Sequence, residues 1–116
     1  MKKKYKKNQG EMTALRVMAE YDSSGIWVIG QQGVFRHGMT GYSALRLPTA
    51  LKSRFIYWIE YYDKILFDPD NFDVDWFNAE GLALATELKA FLGDRYTVEF
   101  LAETEEGGLL PPLQIA

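Results

Sequence analysis

From Leu15 the hydrophobic pattern alternates, with Leu15, Val17, Ala19 and Tyr21 on one side and Arg16, Met18 and Glu20 on the other. That is the period of a half-buried strand. Asp22, Ser23, Ser24 and Gly25 form a polar turn, and Ile26, Trp27, Val28 and Ile29 make a second β-rich run, so the two predict a hairpin. Four glycines between Gly30 and Gly41 then leave room for only a short third strand at Val34, Phe35 and Arg36.

The period changes after Leu47 and Pro48, because Leu51, Phe55, Trp58, Ile59 and Tyr62 recur in steps of three and four. Proline is tolerated where its missing N–H would have no acceptor, so a helix starts here and presents an aromatic seam. Asp68, Pro69, Asp70 and Asn71 end it near Leu66 or Phe67. A second helix begins at Asp73 or Asp75, where a carboxylate caps free N–H groups and offsets the positive end of the helix dipole. Phe77, Gly81, Leu84, Leu88, Phe91 and Leu92 mark its inner face and Gly93 its end. Gly81 on that face implies close approach to the first helix or to the sheet. Arg95 to Glu103 alternates again as a last strand, expected beside the first.

The order β-β-(β)-α-α-β predicts an α+β fold in which two helices cover one face of an antiparallel sheet of three to four strands. Residues 12–106 form the expected domain. Residues 1–11 are read as a flexible basic arm, and 107–116 as a flexible apolar, proline-containing tail that either docks on the domain or dangles.

Charge sharpens this picture. The formal net charge is −3, but Lys2, Lys3, Lys4, Lys6 and Lys7 all lie in the first seven residues, which hold no acid, and the remainder has 8 bases against 16 acids, or −8. Such a body repels phosphates, so direct nucleic-acid binding is not expected. No apolar stretch approaches the roughly 18 residues of a membrane span, and the basic start lacks the apolar segment of a secretory signal. With no cysteine, a cytoplasmic location is the expectation.

Candidate chemistry is sparse. His37 is the lone histidine, no serine sits in a nucleophile elbow, and no set of residues advertises a metal or cofactor site. Asp68, Asp70, Asp73 and Asp75 lack the central glycine and closing glutamate of a calcium loop. The chain is therefore read as a non-enzyme without a cofactor.

What stands out is the span from Glu60 to Glu80, with seven acids against Lys64 alone, a local charge of −6. Aspartates between helices also serve as turn formers and caps, but surplus charge of one sign beside aromatic anchors suits a basic partner. Glu60, Tyr61, Asp63, Asp68, Asp70, Asp73, Asp75 and Trp76 are the candidate binding residues. Glu99, Glu103, Glu105 and Glu106 are read as charges that deter strand pairing, should the last strand be an edge.

The run Phe77-Asn78-Ala79-Glu80-Gly81-Leu82-Ala83-Leu84-Ala85-Thr86-Glu87-Leu88-Lys89, with Leu92-Gly93 and Tyr96-Thr97-Val98, resembles immunity proteins of bacterial contact-dependent growth inhibition and related polymorphic toxin systems. Leu47-Pro48, Leu51, Trp58 and Tyr62 fit the same pattern, so the resemblance covers residues 47–98. It implies a cytoplasmic antidote that binds a cognate toxin domain, commonly a nuclease, and blocks it. A general interaction adaptor or self-assembling module is the alternative. The partner expected is a toxin domain with a basic surface.

Overall fold

A computed structural model describes residues 13–29 and 38–116. Five strands form one sheet in the order β3-β2-β1-β4-β5, built from β1 (Thr13–Val17), β2 (Ile26–Val28), β3 (Gly38–Met39), β4 (Tyr96–Phe100) and β5 (Leu113–Gln114). Helices α1 (Thr49–Asp63) and α2 (Val74–Leu92) intervene between β3 and β4. The fold is α+β, as the element order predicts.

The sheet is mixed, which corrects the purely antiparallel expectation and raises the strand number to five. β1 pairs antiparallel with β2 but parallel with β4, from Thr13 opposite Tyr96 to Val17 opposite Phe100. A hairpin dictates antiparallel pairing, whereas β1 and β4 are joined through everything from Met18 to Arg95. That path far exceeds the dozen residues a parallel crossover needs. β4 does lie beside β1. The short strand anticipated at Val34 to Arg36, the 1–11 arm and His37 lie outside the described residues.

Residues 113–115 of the tail dock on the sheet: β5 pairs with β4, and Ile115 is buried in the core. β4 therefore has neighbours on both sides and is not an edge. The acids of that region do not guard an open edge at β4, contrary to the expectation from sequence. Glu99 instead meets Arg16 across the β1–β4 pair at 2.5 Å, on the face away from the helices.

The core occupies the other face. Leu15, Val17, Ile26, Val98 and Phe100 project from the sheet onto Leu51, Phe55, Trp58 and Ile59 of α1 and Phe77, Leu84 and Leu88 of α2. Trp58 is the keystone: it is fully buried, stacks on Phe77 at 4.7 Å, meets Phe55 edge-on, and donates its indole N–H to the Phe77 carbonyl at 2.9 Å. Gly81 is the reason α2 can come this close. A Cβ there would lie 2.6 Å from both Trp58 Cζ2 and Phe100 Cε1, so the approach is to the first helix and the sheet together. Phe91, read as inward-facing, is instead 45 % exposed, while Leu92 beside it packs against the core.

Candidate partner-binding surface

The chain between the helices folds into two 3-10 turns, Lys64–Leu66 and Pro69–Asn71, and its acids divide by what they do there. Asp73 is the N-cap of α2, and its Oδ1 accepts from the Trp76 N–H at 3.0 Å. Asp68 accepts from the Asn71 amide with both carboxylate oxygens, at 3.0 and 2.9 Å, closing the second turn. These two carboxylates have local structural work. Glu60, Asp70 and Asp75 are exposed and enter no ion pair among the described residues. Asp63 is half-buried, and its Oδ1 lacks a hydrogen-bond partner among the described residues. Glu80 faces elsewhere, joined across the helices to Arg54 at 3.1 Å.

The aromatic candidates form a ladder from solvent to core. Trp76, 38 % exposed, stands edge-on to Tyr61 at 4.8 Å and to Tyr57 at 6.0 Å. Tyr61 in turn packs on Phe72 and Phe77, and its hydroxyl accepts the Asp73 N–H at 2.7 Å. Lys64, the one base in the segment, sits with Nζ 5.5 Å from the Tyr61 ring centroid. Tyr61 thus ties the turn to α1 while Trp76 offers its surface. Tyr57, exposed by 53 % beside Trp76, belongs to the same side, and it and Phe67, exposed by 86 %, were not among the residues singled out from sequence. Tyr57 had a detectable signal, since it falls off the buried stripe of α1 one turn before Tyr61.

The structure brings Glu103, Glu105 and Glu106 of the second acidic cluster beside the interhelical segment, while Glu99 stays on the far face of the sheet. A cleft of about 360 Å³ opens between the interhelical segment, which supplies Ile65, Pro69, Phe72 and Val74, and the β4–β5 connection from Glu103 to Gly107. Glu103 is buried, 7 % exposed. Its backbone is clamped by Asn78 of α2, which accepts the Glu103 N–H at 3.0 Å and donates to the Glu103 carbonyl at 2.9 Å. Burial, and then the nearby Glu20 carboxylate, push the Glu103 carboxyl from its usual 4.5 up to about 7. The Tyr62 hydroxyl is pushed up to about 12, first by burial and then by Glu103 and other acidic neighbours.

The family model described as Serratia CdiI immunity protein-like matches residues 13–103, from the first residue of β1 to Glu103. The chain belongs to this family. It is an immunity protein of a contact-dependent growth inhibition system, and its partner is a cognate toxin. A search of curated proteins gives no match. The residues that carry the resemblance in the sequence, 47–98, lie inside the matched span.

For an immunity protein the arrangement is one of recognition. Among the described residues, no group of three His, Asp or Glu side chains is placed to hold a metal ion, and no helix is long and apolar enough to cross a membrane. The interhelical turn and the Glu103 corner together present exposed carboxylates, exposed aromatic rings and an apolar-walled cleft on a scaffold fixed by capping and clamping hydrogen bonds. Residues 104–116, including β5, lie beyond the matched span.

Proposed function

We propose that this immunity protein neutralises its toxin by covering a basic, phosphate-holding surface, that of a nuclease, with the acidic aromatic side around the interhelical turn. The observation that carries this reading is the group Glu60, Asp70 and Asp75, exposed and without ion pairs among the described residues, flanking the surface of Trp76 and Tyr57. Charges of one sign left unpaired raise the self-energy of the free protein, and a basic partner relieves it while speeding encounter. Aromatic side chains at the centre of such a patch supply the area that holds the complex once formed. Inhibition on this reading is by occupation and needs no turnover by the immunity protein.

The test is protection of the toxin domain's target in the presence of the wild-type chain and of a Glu60→Lys, Asp70→Lys variant. Asp73 is not a suitable target, because its loss as a cap would alter α2 as well as charge. The reading expects the variant to bind more slowly, with a shallower dependence on salt. Equal affinity and equal salt dependence for both chains would refute this surface.

A further inference from the structure

The cleft at the β4–β5 corner has properties that the exposed turn does not. Its walls, Ile65, Pro69, Phe72 and Val74, are largely apolar, and its far side carries Glu103, Glu105 and Glu106. Glu103 is more than nine-tenths buried, and its side chain makes no hydrogen bond or ion pair among the described residues. A buried carboxyl without a partner costs folding free energy that a neutral side chain would not. The backbone that carries it is rigid, since beyond the Asn78 clamp the Thr104 N–H donates to the Gly108 carbonyl at 2.9 Å and the Gly108 N–H to Thr104 Oγ1 at 2.8 Å.

We infer that this cleft receives one lysine or arginine side chain of the toxin, with the apolar walls against its methylene stem and the Glu103 carboxylate as counter-ion to its head. The shape and chemistry agree. Long basic side chains bury their stems on apolar surface and keep the charge at the tip, which here would meet the Glu103 carboxylate lining the cleft. Glu105 and Glu106 at the rim add attraction during approach. The inference rests on the toxin-binding reading above and deepens it: the turn steers, and the cleft anchors.

Titration supplies a signature. The groups set against Glu103 are Glu20 after β1 and Tyr62 at the end of α1, with Glu105 and Glu106 on its own loop. All are acids, so nothing there favours the ionised form in the free protein, and the carboxyl is about half protonated near pH 7. A toxin cation requires it ionised, so binding releases a proton and tightens as pH rises through that value.

The experiment is calorimetric titration of the purified cognate toxin domain into wild-type chain, Glu103→Gln, and the Glu60→Lys, Asp70→Lys variant. Glu103→Gln keeps the shape of the neutral acid and is expected to weaken binding roughly thirtyfold or more, the scale of removing one partner from a buried charge pair. Wild-type affinity is expected to rise about tenfold from about pH 6 to about pH 8, and Glu103→Gln to lack that rise. One lysine or arginine of the toxin, replaced by methionine, should weaken wild-type binding but make little further difference to Glu103→Gln. Unchanged affinity of Glu103→Gln, with the double variant still impaired, would overturn the cleft assignment and leave the surface standing. Failure of the wild-type chain to bind at all would overturn both.

Discussion

The interhelical turn and the β4–β5 corner are both acidic, both face the same cleft, and differ in how their carboxylates meet water. At the turn, Asp68 and Asp73 are consumed by hydrogen bonds that shape the chain, and Glu60, Asp70 and Asp75 stand in solvent. Solvated charges are screened and act mainly on the rate of encounter. At the corner, Glu103 is buried without a compensating partner among the described residues, and its carboxyl acts at short range. The lesson is that the number of acids in a segment says little about how strongly each one binds. Burial and existing partners sort steering charges from structural ones, and both from an anchor.

The most disruptive way to break the comparison is to remove the scaffold that both regions share. Trp58→Ala deletes the ring between α1, α2 and β4 and leaves the Phe77 carbonyl without its indole donor, so a loss of about 3–5 kcal/mol is expected. Chemical denaturation measures it, and toxin binding should fall for both regions at once. A loss below about 1 kcal/mol would mean that the helix pair is held elsewhere.

A sharper separation comes from stability against pH. The Glu103 carboxyl binds its proton more tightly in the folded chain than in the unfolded chain, so stability is fullest below 4.5 and declines as pH rises through about 7. Glu103→Gln removes that decline and should stabilise the protein by about 2–3 kcal/mol at about pH 8, with little change near pH 4. Thermal melts at the two pH values decide it. A variant that is more stable yet binds the toxin less tightly is the pattern expected of a residue kept for function. A Glu103→Gln melt that falls at both pH values would show that the carboxylate stabilises the fold.

The smallest effects separate the two kinds of turn aspartate. Asp73→Ala should cost about 1 kcal/mol through the lost N-cap, whereas Asp70→Ala should be neutral to within about 0.5 kcal/mol. Equal losses in urea melts would contradict the division of these acids into structural and solvated groups.

Much of the scaffold was legible in the sequence, and the reason is periodicity. The buried stripe Leu51, Phe55, Trp58 and Ile59, the alternation of Leu15 and Val17, the cap at Asp73 and the close approach at Gly81 are each written within a few residues of chain. Strand direction across the β1–β4 pair was not, because alternation fixes which face a residue takes and not which way a distant strand runs. β5 was hidden because Leu113 and Gln114 are only two residues behind two prolines. Of the candidate surface, the exposed acids and Trp76 were readable from composition, but the Glu103 corner was not. Val98 and Phe100 point inward, then Leu101 and Glu103 are buried as well, so the alternation shifts phase after β4 and no period-two rule places Glu103 inside. Its proximity to the interhelical segment is a product of the tertiary fold alone.

The central claim is that toxin recognition occupies the side shared by the turn and the corner, and backbone amide hydrogen exchange of the wild-type chain with and without its toxin domain tests it most directly. The account predicts added protection in residues 60–76 and 103–107, with β2, β3 and the outer face of α2 unchanged. Protection confined to those other elements, with 60–76 and 103–107 exchanging as in the free protein, would contradict it.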